Sequence, residues 1–327
     1  MTIPALADVL ATARVVALPL RTKFRGLTVR EAMVFRGPQG WTEFSPFVEY
    51  DDAEATAWLR AAYEFGWDEA PALLRTSIPV NATVPAVDSA QVEQVLAAFG
   101  YCRTVKVKVA EPMQTLAEDV ARVHRVRELV GPEGRIRIDA NGAWNVDEAE
   151  HAIHAMADAD LEYVEQPCTS IAELAELRRR VKYMAIPIAA DESVRKASDP
   201  FAVVEAQAAD LLVLKAQPLG GVKNALAIAK QAGLPVVVSS ALDTSIGLAM
   251  GAQLAAALPE LNFDCGLGTA ALLAADVVTV PLVPIDGEIA VTRPEINEQA
   301  LDEYAADPQR TAWWLERLER VHRRVEA

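Results

Sequence analysis

Asp139, Glu165, Asp191 and Lys215 follow one another at intervals of 26, 26 and 24 residues. Each stands at or just past the end of a short apolar run that reads as a β-strand (135–139, 161–165, 186–190 and 211–215). A further run, 104–109, carries Lys106 and Lys108, and Lys108 lies 31 residues before Asp139. Side chains two apart on a strand share a face, so both amines can point the same way. Three carboxylates gathered within a few ångströms repel one another strongly unless a cation neutralises them. An all-oxygen donor set suits a hard divalent ion, Mg²⁺ (or Mn²⁺), rather than zinc. A lysine acts as a base only when its amine is neutral, against an ordinary pKa of about 10.4. A second ammonium and a nearby dication both disfavour protonation, so Lys106 is expected to tune Lys108. A shift of about 3 units corresponds to roughly 4 kcal/mol. A substrate carboxylate on the ion would set its α-carbon between Lys108 and Lys215, and loss of the α-proton would give an enediolate dianion that the ion stabilises.

The intervals equal one strand–helix unit, and the chain between the charged residues has that rhythm. Strands are expected at 78–82, 104–109, 135–139, 161–165, 186–190, 211–215, 236–240 and 261–264. Capping boxes at Thr115/Glu118, Asn145/Glu148 and Ser170/Glu173 open the helices between them. Eight such units predict an α/β fold, a parallel (β/α)8 barrel with the charged residues on its C-terminal rim, where barrel enzymes place their chemistry. A doubly wound open sheet is the second choice, and would bring a glycine-rich loop after its first strand. Before the barrel, 13–20, 28–35 and 41–46 alternate like antiparallel strands around a turn at 37–40, and a helix is expected over 52–65. The expected division is an α+β capping domain over 1–75, the barrel over 76–276, and a segment 277–327 whose helix (310–325) packs back on the cap.

Composition narrows the class. The 327 residues are 52% apolar and 24% charged, enough for a sizeable core. A net charge of −15 argues against nucleic acid as a partner. No apolar stretch reaches the roughly 20 residues of a membrane span. The start of the chain shows no basic export signal. Three scattered cysteines without a CxxC pair read as reduced thiols of a cytoplasmic protein. Oligomeric state is not legible, and a monomer is compatible with everything above.

Six segments carry a resemblance: VKVKVA (105–110), RIDANGAW (137–144), EYVEQPC (162–168), IAADESVRKASDP (188–200), VLKAQPLGG (213–221) and VVVSSALDTSIG (236–247). With SIPVNATVPA (77–86) and FRG (24–26), they make the sequence similar to the o-succinylbenzoate synthases of menaquinone biosynthesis, in the muconate-lactonizing branch of the enolase superfamily. A Lys or His base paired with Mg²⁺ is the known pattern of that superfamily. The resemblance implies dehydration of a small dicarboxylate, 2-succinyl-6-hydroxy-2,4-cyclohexadiene-1-carboxylate, to 2-succinylbenzoate. It implies Asp139, Glu165 and Asp191 as metal ligands and Lys108 as the group that takes the α-proton and can return it to the departing hydroxyl. Lys215 is implied on the opposite face, as a cation near the enediolate or as a second base.

Other positions follow with less weight. Asn141 shares a face with Asp139 and reads as a contact to the metal shell or the substrate. Glu192 points away from its neighbour Asp191 and reads as a support of the ligand set. Ser239, Ser240, Gly266 and Gly268 lie where the family holds its carboxylates, partly through backbone amides. Arg25 sits in a segment (23–26) resembling the family's capping loop, which closes over substrate. The same rim would serve N-succinylamino acid racemisation, with Lys108 and Lys215 as alternating bases, and the rim residues do not separate the two. Dipeptide epimerisation, cycloisomerisation and a non-catalytic metal-binding barrel are more distant readings.

Overall fold

The computed structural model describes residues 1–196 and 199–326, so Ala197 and Ser198 of the 188–200 motif and the terminal Ala327 lie outside the described residues. Three antiparallel strands come first, β1 (Arg14–Phe24), β2 (Leu27–Gly37) and β3 (Gly40–Phe44), in that order across the sheet. Phe24 pairs with Leu27, leaving Arg25 and Gly26 as a two-residue hairpin turn at φ 50° and 78°. A turn of that length favours positive φ at both central residues, which puts Arg25 at the hairpin's tip. The helix Asp52–Trp67 follows, capped by the Asp51 carboxylate, which accepts from the Glu54 amide.

The first barrel run divides in two. β4 (Ser77–Pro79) pairs antiparallel with Glu288–Ala290 of the returning tail, while β5 (Ala82–Val84) enters the barrel sheet. From there β6 (Thr104–Lys108), β7 (Arg135–Asp139), β8 (Leu161–Glu165), β9 (Ile188–Ala190), β10 (Leu211–Leu214) and β11 (Val236–Val238) line up in chain order, each parallel to its neighbour. The three capping boxes form as the sequence predicts, each with side-chain and backbone bonds exchanged. Sequential order excludes the doubly wound sheet, whose strand order reverses.

The eighth strand departs from expectation. Residues 261–264 form no regular strand. The sheet is closed instead by single bridges just beyond, Val80 to Cys265 and Ser239 to Gly266. Cys265 donates its amide to the Pro79 carbonyl at 2.7 Å and accepts from the Asn81 amide at 2.9 Å. Residues 261–264 (Leu-Asn-Phe-Asp) alternate as a strand would, but they stay half-exposed or exposed, and the ladder bonds fall one step later, on Cys265 and Gly266. The strands expected at 135–139 and 161–165 form over those same residues, while those at 104–109, 186–190, 211–215 and 236–240 lose one or two residues at an end.

The cap and the tail share a core. The helix Pro308–Glu326 lays Trp314, Leu318 and Val321 against Trp58 and Tyr63 of the helix Asp52–Trp67 and against Phe44 of β3. The other face of the cap sheet packs Val16, Leu18, Ala32 and Val34 on Ile246 and the tail residues Val277 and Leu301. The barrel has its own large core of strand and helix residues. Cap and barrel are also joined by polar bonds. The buried Glu43 carboxylate accepts from the amides of Thr244 and Gly247, at 3.2 and 3.0 Å, at the start of the helix Ser245–Ala257. A carboxylate there complements the positive end of the helix. The buried Arg30 guanidinium donates to the carbonyls of Leu242 and Ser45.

Candidate active site

Strand register does most of the positioning. Lys108 pairs with Asp139, and Asp139 with Glu165, so the three side chains stand in one row on one face of the sheet. Glu165 pairs in turn with Ala189, and Asp191 follows two residues later at the start of a short helix. Lys215 comes directly after β10. All three carboxylates are fully buried. A β-strand rim is the reason: alternate side chains point inward, and the last of them on each strand reaches the mouth.

The amines and the carboxylates are interlocked. Lys106 Nζ donates to both oxygens of Glu165, at 2.9 and 3.0 Å, and lies 3.0 Å from Asp139 Oδ2. Lys108 Nζ donates to Asp139 Oδ2 at 2.6 Å and to Asn141 Oδ1 at 2.7 Å. Lys215 Nζ donates to Asp191 Oδ2. The balance of burial and neighbouring charge differs from group to group. Burial, reinforced by the Lys106 ammonium and opposed by Asp139, lowers the Lys108 pKa. Burial also acts against charge on Lys106, but Asp139 and Glu165 outweigh it and hold that amine protonated. Glu165 is pushed up to about 7 by burial and by the charges of Asp139 and Asp191. Asp139 and Asp191 are held low despite burial, by the two lysines on the first and by Lys215 and Arg195 on the second. Two lysines side by side therefore have opposite tendencies, one held as an ammonium and the other drawn toward the neutral amine.

The cap covers this rim. Phe24, Arg25 and Phe47 face Lys106, Lys108 and Lys215 across a narrow cleft of about 30 Å³. Arg25 lies 4.3 Å above the Phe47 ring. Outside it, a groove of about 600 Å³ between residues 21–26 and 111–114 leads to Lys108 and Asn141. Asn141, at φ 48°, accepts from Lys108 and donates to Glu192 Oε1 at 3.2 Å. Ser239, Ser240 and Gly266 line the cleft. Ser240 Oγ donates to the Gly266 carbonyl at 2.8 Å. A Cβ at Gly266 would collide with Ser239 Oγ. Gly268 lies away from the cleft, packed on the Asn81 carbonyl and Pro284.

Sequence reading passed over Arg195, Tyr50 and Phe47. Arg195 Nε donates to Asp191 Oδ1 at 3.0 Å and its Nη2 to Glu192 Oε1 at 2.6 Å. The i, i+4 spacing from Asp191 on a helix was the available signal. No local pattern marks Tyr50 or Phe47, which reach the rim only because the cap folds over it.

Residues 88–295 match the family model described as enolase C-terminal domain-like, and residues 15–66 the enolase N-terminal domain-like one. The o-succinylbenzoate synthase of Thermobifida fusca (strain YX) is 55% identical over 310 residues, covering 94% of this chain and 95% of that protein. The chain belongs to the o-succinylbenzoate synthase family of the enolase superfamily. A second member, from Mycolicibacterium smegmatis, is 54% identical over 321 residues and 98% of each chain. Among solved structures, the muconate lactonizing enzyme of Pseudomonas putida aligns with a TM-score of 0.74 at 20% identity, over 90% of this chain and 98% of its own. The 2-chloromuconate cycloisomerase of Rhodococcus opacus 1CP gives 0.74 at 24% identity with the same coverage. These two share the fold.

Enzymes of the superfamily are metal-dependent. Among the described residues no three His, Cys, Asp or Glu side chains converge on a common point, since each rim carboxylate is turned to a lysine. The donor chemistry nevertheless fits a hard cation: three buried carboxylates, with Glu165 pushed up to about 7 by burial and then by the charges of Asp139 and Asp191. Among the described residues no helix is long and apolar enough to cross a membrane.

Proposed function

We propose that this chain dehydrates 2-succinyl-6-hydroxy-2,4-cyclohexadiene-1-carboxylate to 2-succinylbenzoate and water in menaquinone biosynthesis, acting as a carbon–oxygen lyase. The observation that carries the reading is the 54–55% identity to o-succinylbenzoate synthases over nearly the whole chain. The same observation favours dehydration over racemisation of N-succinylamino acids. The paired lysines with opposite tendencies supply the chemistry.

Asp139, Glu165 and Asp191 are the residues that would hold the divalent ion, Mg²⁺ or Mn²⁺ in its place. When bound, such an ion supplies positive charge that stabilises the dianion formed on proton loss. Lys108, as the neutral amine, takes the α-proton, and its lowered pKa makes that form accessible. The C–H electron pair moves toward the carboxylate. As the C–O bond breaks, the Lys108 ammonium returns the proton to the departing hydroxyl and water leaves. One amine serves both transfers when hydrogen and hydroxyl depart from the same face. Lys106 keeps its proton and depresses that of Lys108. Lys215 faces the reacting carbon from the other side as a cation. Asn141 orients the Lys108 amine, and Glu192 holds Asn141. Arg25 guides a substrate carboxylate into the cleft, where Ser239, Ser240 and Gly266 form the wall. Closure of the hairpin tip excludes water.

The substrate is a small dicarboxylate, taken up without nucleic acid or membrane, and three buried free cysteines suit a reducing cytoplasm. The test supplies the cyclohexadiene carboxylate and follows the ultraviolet change as the ring becomes aromatic, beside an N-succinyl amino acid as a racemase substrate. A far higher kcat/KM for the amino acid would overturn the assignment. The Lys108→Ala variant should lose about 10²–10⁴-fold in kcat.

A further inference from the structure

Arg195 is bonded on every side to residues of the site or of its cover. Its side chain is 4% exposed. Nε donates to Asp191 Oδ1 at 3.0 Å, Nη2 to Glu192 Oε1 at 2.6 Å, and Nη1 to the Tyr50 hydroxyl at 3.4 Å, with Glu54 Oε1 at 4.0 Å. The first two partners belong to the barrel, and Tyr50 and Glu54 belong to the cap. Glu192 Oε1 also accepts from Asn141, whose carbonyl oxygen accepts from Lys108. On the other side, Asp191 Oδ2 accepts from Lys215. An unbroken chain of side-chain hydrogen bonds therefore runs from Lys108 through Asn141, Glu192, Arg195 and Asp191 to Lys215. Arg195 is its only cation between the two ends.

We propose that Arg195 is a positioning residue: it fixes the Asp191 carboxylate for the metal and, through Glu192 and Asn141, the Lys108 amine for proton transfer, while Tyr50 ties this arrangement to the seated cap. The inference rests on the reading of Asp191 as a metal ligand and Lys108 as the base. The geometry is the argument. A guanidinium is a rigid, planar fork, and here its prongs go to two different carboxylates, so the rotation of one fixes the other. Residues bonded behind a metal ligand set its orientation and commonly change metal affinity by about 10–100-fold when removed. A lysine at the same place carries all its donors on one nitrogen, so it lacks the two separate, rigidly spaced prongs by which Nε holds Asp191 and Nη2 holds Glu192.

The test measures Mn²⁺ binding by electron paramagnetic resonance without substrate, and kcat and KM for dehydration separately, on the full chain. Arg195→Met should weaken Mn²⁺ by about 10–100-fold and lower kcat. Arg195→Lys should recover most of the Mn²⁺ affinity, by restoring a cation on Asp191, while kcat stays low because Glu192 and Asn141 are unheld. Tyr50→Phe should raise KM and leave Mn²⁺ affinity unchanged. A folded Arg195→Met with wild-type affinity and kcat would overturn the proposal. If that variant does not fold, Arg195→Lys decides alone, and wild-type kcat in it refutes the two-pronged role. A wild-type chain that binds no Mn²⁺ and performs no dehydration would instead bring down the functional reading beneath it.

Discussion

Lys106 and Lys108 share one acceptor: Asp139 Oδ2 lies 3.0 Å from the first Nζ and 2.6 Å from the second. Two ammonium groups on one oxygen are hard to sustain in a buried site, and the outcome is decided by the remaining contacts. Lys106 has Glu165 as well, with both oxygens, while Lys108 has only the neutral Asn141. The proton cost falls on Lys108.

Removing the charge of Lys106 should therefore make Lys108 more basic. Because Lys108 works as the neutral amine, kcat/KM rises as pH passes upward through its pKa. In Lys106→Met that rise should move about 1 unit to higher pH. A pH–rate profile measures this, and an unmoved limb would mean that Lys106 does not tune the base.

Asp243 predicts the pH dependence of stability. Burial and the adjacent Glu43, against the pull of Arg30, push it up to about 7, and its Oδ1 has no hydrogen-bond partner. The folded state keeps a proton that the unfolded chain releases above about pH 3.9. The stability that Asp243 contributes is therefore lost as pH rises from about 4 to 7, and the loss then levels off. Asp243→Asn stays neutral throughout. It should be more stable than wild type at pH 8, by at most about 4 kcal/mol, with the difference closing near pH 4.5. Guanidinium unfolding at the two pH values measures it, and a pH-independent difference would refute the assignment.

Gly266 closes the barrel against Ser239. A methyl group there would strike the Ser239 hydroxyl. Gly266→Ala should cost about 1–3 kcal/mol, the usual range for overpacking. Adding Ser239→Ala removes the obstructing atom and should recover part of the loss. If the double variant is no better than the single one, the contact is not the cause.

Trp314 joins the tail to the cap. It is fully buried, meets the Phe44 ring edge-on at 5.9 Å, and donates from its indole nitrogen to Glu31 at 2.8 Å. Trp314→Ala should destabilise by about 3–5 kcal/mol. The same variant should weaken substrate binding, since the tail helix supports the cap whose tip covers the cleft. A denaturation midpoint close to wild type would show that the cap stands without the tail.

The sequence by itself determined the barrel rhythm, the matched intervals of Asp139, Glu165, Asp191 and Lys215, and the pairing of Lys106 with Lys108. It did so because strand alternation, capping boxes and one-unit spacing are local regularities, repeated often enough to read. The tertiary structure alone decided how the barrel closes, through Cys265 and Gly266 and not through a regular strand at 261–264. It also decided that β4 serves the tail while β5 serves the barrel, and that Arg195 links Asp191 to Glu192 and to the cap. Apart from the local contacts of Arg195 with Asp191 and Glu192, each of these depends on residues far apart along the chain meeting at short range. Hydrogen-bond partners chosen by proximity in space leave no periodic trace in the order of amino acids, so packing had to bring them together before they could be seen.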